Sequence, residues 1–432
     1  MNASKEKHPK ELFILSICGI TMRFAYWGVG NLLVLYLIQY YKFSIASSAY
    51  IYGVFTGVGA LLPLIGGIIA DRWNYHMPLF IGTIAASLGC FMISFGNIYL
   101  LLAALGIISL GYGVFIPSIF AILSHTYKNK QALREAGFTI YYASFNIGVF
   151  LAMIILGFIA NRISWGLAFF TAGLVELIGI IPVYIYYKKY HLYYEGLHPK
   201  DHHCSKETLP QLKPFEKDRI TVILILVFFS IFFWAAYSQG WSSMAVFTMK
   251  YTDLKIMNFV IPEAWILSLE ALFLIFLAPA MSKLYHYLQE KNKDPSPPAK
   301  MAISLFFMAL SFTIMMVGSR HIPFHATSAK VSPFYLISAF FVMGISEMFL
   351  GPISLSLTTR LSPKRYIGIL VGLVYLSTGF AYYIGGIIAG LFNKMPSLFD
   401  FFAIFMIFSL ISCILLAFLA KKLNKMRHMD IF

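Results

Sequence analysis

Charge is what this sequence has least of. Asp, Glu, Lys and Arg make up 12% of its 432 residues, about half the share of a soluble globular domain. With 59% hydrophobic and 17% aromatic residues, so few ionic groups exclude an ordinary water-facing surface and leave the bilayer as the solvent. Cysteine is nearly absent too. Cys18, Cys90, Cys204 and Cys413 show no paired spacing and three of them sit inside apolar runs, which excludes a disulfide framework and makes them packing residues. There is no GxSxG nucleophile elbow, no GxxxxGK[ST] phosphate loop and no pair of metal ligands at zinc spacing. These gaps argue against an enzyme, against ATP-driven work and against a resident metal or cofactor.

What is abundant is long apolar runs. About 20 residues at 1.5 Å each cross a hydrocarbon core, so runs of roughly 18 or more are read as membrane helices. Twelve are predicted, at 12–40, 48–70, 77–97, 99–124, 137–160, 166–187, 219–249, 262–288, 300–318, 333–357, 366–391 and 397–420. The opening "MNASKEKHPKELF" is charged and no small-residue cleavage site follows its apolar run, so the first span is expected to be a retained helix.

The net charge of +15 is placed in a way that speaks for topology rather than nucleic acid. Apart from Arg23, 25 of the 33 Lys and Arg fall on one side of the twelve-span layout. Lys42, Arg162, Lys250, Lys255, Arg320, Lys330 and Lys394 fall on the other. By the positive-inside rule the rich side is cytoplasmic, so both termini are expected inside the cell, with basic loops near anionic lipid.

The longest polar segment, 188–219, divides the spans six and six. The expected organisation is a six-helix bundle at 1–187, a cytoplasmic linker at 188–218 and a second six-helix bundle at 219–432. An all-α membrane protein of this layout matches the major facilitator superfamily, whose two bundles rock about a midplane site; a monomer is expected. Three short features have plain explanations. "DHHC" at 201–204 lacks partners at a zinc spacing and reads as solvated loop. "GVFTG" at 53–57 is the small-xxx-small pattern of close helix packing. "KNKDPSPPAK" at 291–300 reads as a cytoplasmic loop.

An ionisable residue inside a span costs several kcal/mol and is by default a functional candidate. The spans hold Arg23, Glu176, Glu270 and Glu347. One cation against three acids leaves negative charge unmatched, so at least one glutamate is expected to carry a proton or to await a cationic group on a substrate.

Several stretches resemble the proton-dependent oligopeptide transporter (POT, or PTR) family. "GFTIYYASFNIGVFLA" (137–152) resembles the family's fifth-helix signature. "PLIGGIIADRW" (63–73), "FFWAAYSQGWSSM" (232–244) and "GISEMFLGPISLSLTTRLSPKR" (344–365) fall in the family's order. The resemblance implies two helix bundles that import di- and tripeptides by alternating access driven by protons. Arg23, Tyr26 and Gly28 match the first-helix pattern ExxERFxYYG. Asn146 matches the Asn that holds peptide backbone, and Glu347 the tenth-helix Glu that meets the peptide's amino end. Trp234 and Gln239 complete the expected cavity, and Asp71 and Arg72 the gating loop, although "NYH" departs from the continuation common after "ADRW". The chemistry suits a zwitterion: a guanidinium grips a carboxylate with two parallel bonds, and a carboxylate meets an ammonium.

The sequence departs from the family where the family keeps its charges. Gly19 and Met22 stand where ExxER has glutamates, Ile116 where "FKPN" has Lys, and Ser238 where the seventh helix has Glu. Losing acids and bases as a set avoids stranding any one of them. Against that trend, Glu270 stands where the eighth helix usually has Asn. Glu270 and Glu347 are therefore expected to form an anionic subsite for a cationic group or a relocated proton site. As a pair in low dielectric they would titrate nearer neutrality than a lone carboxyl. The central loop has no room for an extra helix pair, nor the 319–332 loop for a large extracellular domain. The expected activity is import of di- and tripeptides or peptide-like zwitterions with proton coupling altered or lost. The alternatives are a different small zwitterionic metabolite (an amino-acid derivative or siderophore-like compound, even exported) or a transport-inactive membrane sensor.

Overall fold

A computed structural model of the chain describes residues 8–73, 75–127, 130–194, 212–323, 326–363 and 366–428, the side chains of a few helical positions excepted. The "DHHC" segment lies outside these residues, as do the side chains of Asp71 and Arg72.

Among the described residues twelve helical spans are long and apolar enough to cross a membrane, from Lys10–Gln39 to Leu398–Met426. Most run a few residues beyond the apolar stretches of the sequence. Their ends recruit polar caps: Asn97 accepts from the backbone N–H groups of Tyr99 and Leu100 at 2.9 and 3.2 Å, and Ser164 from that of Leu167 at 3.1 Å. Large apolar side chains such as Phe276, Leu88 and Phe418 are exposed on the helices. In a bilayer that exposure is lipid contact rather than an aggregation hazard.

The chain divides into two compact units, residues 1–31 with 61–204, and residues 32–60 with 205–432. The first unit holds the start of α1 (Lys10–Gln39), the end of α2 (Ile45–Trp73), α3 (His76–Ser94), α4 (Ile98–Thr126), α5 (Gln131–Arg162), α6 (Trp165–Ile178) and α7 (Ile180–Tyr194). Here α3 packs along α4 and α6. The sixth span is divided between α6 and α7 at Gly179. Pro182 explains the break, because it has no N–H to give to the carbonyl of Ile178.

The second unit begins with the end of α1 and the start of α2. It continues with α8 (Pro214–Tyr237), a 3-10 turn (Ser238–Trp241), α9 (Ser243–Tyr251), α10 (Glu263–Leu267), α11 (Leu269–Glu290), α12 (Pro297–Ser319), α13 (Phe334–Leu361), α14 (Ile367–Ala389) and α15 (Leu398–Met426). Between α9 and α10 lies an antiparallel ribbon, β1 (Lys255–Ile256) and β2 (Phe259–Val260), paired Lys255 to Val260 and Ile256 to Phe259. Alternation too short to register in the sequence hides it. The helix α12 packs along α13 and α15 as α3 does along α4 and α6. The third span of each six thus takes the same two partners, the mark of an internal repeat. In this unit α2 meets α14 backbone to backbone: a Cβ on Gly53 would stand 2.9 Å from Cα of Gly386, and one on Gly57 2.9 Å from the Gly379 carbonyl oxygen. The "GVFTG" stretch is therefore a close-packing surface.

Candidate functional site

In the second unit two spans break beside buried polar groups. The seventh leaves α8 at Tyr237 for the 3-10 turn, and the eighth restarts as α11 directly after Ser268. The sequence causes the first break locally. Serine hydroxyls compete for the backbone, Ser238 donating to the Ala235 carbonyl at 2.8 Å and Ser242 to the Ser238 carbonyl at 3.0 Å. Gln239 then clamps the turn. Its amide donates to the carbonyls of Ala235 (3.1 Å) and Gly385 (3.0 Å) and accepts from the Ser243 hydroxyl (2.8 Å). Fully buried and engaged in this way, Gln239 has its amide turned to the protein's own backbone.

The break leaves Tyr237 at the junction of three helices. Its Oη lies 2.5 Å from Oε1 of Glu270, in the first turn of α11, and 2.8 Å from Oε2 of Glu347 on α13. Glu270 is 3% and Glu347 7% exposed. Two of the expected site residues are thus brought onto one phenol that sequence reading missed. The signal was available in "WAAYSQG", since a tyrosine next to a helix-breaking Ser-Gln-Gly run is a polar tip at a break. Trp234 packs edge-on against the same Tyr237 ring (5.4 Å, 84°) and against Tyr382 (6.1 Å, 71°). Discontinuous membrane helices beside buried ionisable groups are where secondary transporters hold substrates and coupling ions.

The first unit offers the opposite charge. The guanidinium carbon of Arg23 lies 4.3 Å from the Phe145 ring centroid, 5.5 Å from Tyr112 and 5.9 Å from Trp27. Three aromatic faces hold the cation by their quadrupoles, each by about 0.5–2 kcal/mol. Tyr26 is buried and stacks on Tyr112 at 3.8 Å and 14°. Asn146 is half-buried, its amide donating to the Tyr142 carbonyl one turn back at 3.3 Å.

At position 19 the packing leaves little room for a side chain. A Cβ on Gly19 would stand 2.6 Å from Cε1 of Phe145 and 3.1 Å from Cε2 of Tyr141, so rings fill the place of a side chain. Met22, Ile116 and Ser238 are likewise buried. Two residues that sequence reading passed over lie one and two helical turns beyond Arg23, at i+4 and i+8. The indole N–H of Trp27 and both amide atoms of Asn31 are buried without a hydrogen-bond partner among the described residues, as is Nε of Arg23. Buried polar atoms are nearly always paired, so these three donors and one acceptor on one face of α1 have hydrogen-bonding capacity that a ligand or water could take up. Glu176 lies apart, in the last turn of α6.

Twelve membrane spans, a repeated six-helix packing pattern and buried charges at helix breaks define a secondary transporter of the major facilitator fold. The sequence profile of the POT family matches residues 75–195 and 206–407, and the chain belongs to that family. It is similar to the peptide transporter YePEPT of Yersinia enterocolitica subsp. palearctica, 26% identical over 91% of this chain and 90% of the relative. The dipeptide and tripeptide permease B of Photorhabdus luminescens is 23% identical, over 89% of this chain and 88% of its own. Among solved structures, a peptide transporter POT in complex with sulfate superposes with a TM-score of 0.84 at 23% identity, covering 97% of this chain and 96% of that one. A POT family transporter in complex with 5-aminolevulinic acid does so with 0.83 at 19% identity, covering 96% and 97%.

Proposed function

We propose that this protein imports di- and tripeptides, or peptide-like zwitterions, by alternating access, with proton coupling carried by Glu270, Tyr237 and Glu347. One observation carries this: a single phenol oxygen in short contact with two buried carboxyls. A phenol has one proton. Two contacts of 2.5 and 2.8 Å need two, so one carboxyl supplies its own and the cluster holds a shared proton between the two acids. Arrival of a peptide ammonium would let that proton leave without stranding charge, which links cargo to proton. The acid pair is also the anionic subsite for that ammonium.

In the first unit Arg23 is assigned the substrate carboxylate, with Tyr26 and Asn146 beside it and Trp27 and Asn31 supplying donors to peptide carbonyls. Gln239 drops out as a substrate contact, since its amide is engaged with Gly385 and Ser243; it shapes the break on which Tyr237 sits. Asp71 and Arg72 keep the gating role that the family resemblance gives them. The charge asymmetry of the loops supports both termini in the cytoplasm, with basic loops against anionic lipid; a cell (inner) membrane and a monomeric working unit complete the proposal.

A second cargo class has one specific support: a transporter of the same fold is solved with 5-aminolevulinic acid, which has an amine and a carboxylate but no peptide bond. Uptake of labelled dialanine and, separately, of labelled 5-aminolevulinate into proteoliposomes, each in competition with a dipeptide panel, decides between them. Uptake of dialanine that dipeptides inhibit supports peptide import, and uptake of 5-aminolevulinate that dipeptides do not inhibit, with no uptake of dialanine, overturns it in favour of the second class.

A further inference from the structure

Glu176 plays no part in the site above, yet it is fully buried, and neither carboxyl oxygen has a hydrogen-bond partner of ordinary geometry among the described residues. Its polar surroundings are the hydroxyls of Thr21 on α1 and Thr83 on α3. The Thr21 hydroxyl already donates to the Cys18 carbonyl at 3.2 Å. The titratable groups facing it are the thiols of Cys18 on α1 and Cys90 on α3; from α5 and α7 no charged side chain among the described residues acts on it. An ionised carboxylate in such a place would be an uncompensated charge in low dielectric, costing several kcal/mol or more. The neutral acid costs far less.

The position is also a mechanical one. Glu176 lies in the last turn of α6, three residues before the break at Gly179, and Pro182 follows. The break is pressed against α1: a Cβ on Gly179 would stand 2.4 Å from Oγ1 of Thr21. The residue that closes off Glu176 therefore also touches the hinge, and it lies two residues from Arg23. A bend of α6 at Gly179 would move Glu176 relative to Thr21 and open it to water.

We infer that Glu176 is a second proton-binding site, in the first unit and separate from the acid pair of the second. It holds its proton on a carboxyl oxygen while α1, α3 and α6 are closed and passes it to water, leaving a carboxylate and hydronium, when α6 bends. The inference rests on the chain being a transporter that changes conformation and not on the cargo being a peptide. The first test needs no cargo. Infrared spectra of the purified, lipid-reconstituted protein are recorded across neutral and alkaline pH for the wild type, E270Q/E347Q and E176Q/E270Q/E347Q. The expected result is a protonated-carboxyl carbonyl band that persists in E270Q/E347Q and is lost in E176Q/E270Q/E347Q. If the triple variant fails to fold, E176D/E270Q/E347Q should shift the band instead. Absence of the band at neutral pH in E270Q/E347Q, or its survival unaltered in the triple variant, overturns the assignment. The second test measures the proton-to-dialanine ratio from the reversal potential in proteoliposomes. E176Q should move one proton fewer per dialanine while keeping counterflow, and an unchanged ratio, or a requirement for Na⁺ at this site, overturns the role. If dialanine is not carried at all, the peptide proposal fails while the infrared test still decides this one.

Discussion

Position 19 offers a quantitative test of how the charge-poor first helix was built. Adding a methyl at Gly19 sets a carbon 2.6 Å from the Phe145 ring and 3.1 Å from the Tyr141 ring, well inside van der Waals contact. Overpacking of this kind costs about 1–3 kcal/mol, offset by about 1 kcal/mol from the better helix propensity of alanine, so Gly19→Ala should destabilise by up to about 2 kcal/mol. Phe145→Ala empties the same space and should cost about 3–5 kcal/mol alone. In the double variant the new methyl sits in the emptied volume and the overpacking disappears. We expect G19A/F145A to be as stable as F145A or slightly more so, a favourable coupling of about 1–3 kcal/mol. At roughly 2.1 cal/mol/K per residue of unfolding entropy, 2 kcal/mol over this length corresponds to about 2 °C in melting temperature, resolvable by thermal unfolding in detergent with replicate scans. Additivity within about 0.5 kcal/mol would show that Phe145 does not occupy the place of the missing side chain. The follow-up is G19E/F145A, which should fold where G19E alone does not.

Further expectations concern each unit separately. Tyr237→Phe removes the one hydroxyl shared by Glu270 and Glu347; it should cost about 2 kcal/mol in thermal stability and abolish gradient-driven uptake, and retained uptake would rule the phenol out of the coupling. Arg23→Lys keeps the charge but loses the planar fork and much of the stacking on Phe145, Tyr112 and Trp27. Dialanine binding by calorimetry should weaken about tenfold; unchanged affinity would remove Arg23 from the carboxylate subsite. Gly53→Leu drives a side chain into the Gly386 backbone and should destabilise the second unit by about 1–3 kcal/mol, read by limited proteolysis and melting temperature.

The sequence made the spans legible because each is a long apolar run between polar loops, and hydropathy is a sum that survives small errors. Ends were less legible: α8 starts at Pro214 and α15 reaches Met426, since polar residues at a membrane surface continue a helix without cost. The breaks were invisible to hydropathy. Gly179, the turn at Ser238–Trp241 and the restart after Ser268 arise from a proline and from serine hydroxyls inside runs that remain apolar on average. Charged site candidates stood out because charge is rare here, which is how Arg23, Glu270 and Glu347 were found. Their partners were not, because Phe145, Tyr112 and Tyr237 are common residue types whose roles exist only after distant helices pack. That Gly19 lies under an aromatic ring is a contact between α1 and α5, 126 positions apart, and no spacing along one helix encodes it.

The most direct test of the proposed coupling uses proteoliposomes and labelled dialanine, with an imposed inward proton gradient, a membrane potential alone, or neither, for the wild type and Glu270→Gln. We expect the wild type to accumulate dialanine under the proton gradient, and Glu270→Gln to retain counterflow while losing accumulation and its pH dependence. If Glu270→Gln accumulates dialanine with the wild-type dependence on pH, or if the wild type equilibrates dialanine without accumulating it under any gradient, the Glu270, Tyr237 and Glu347 cluster does not couple protons to transport.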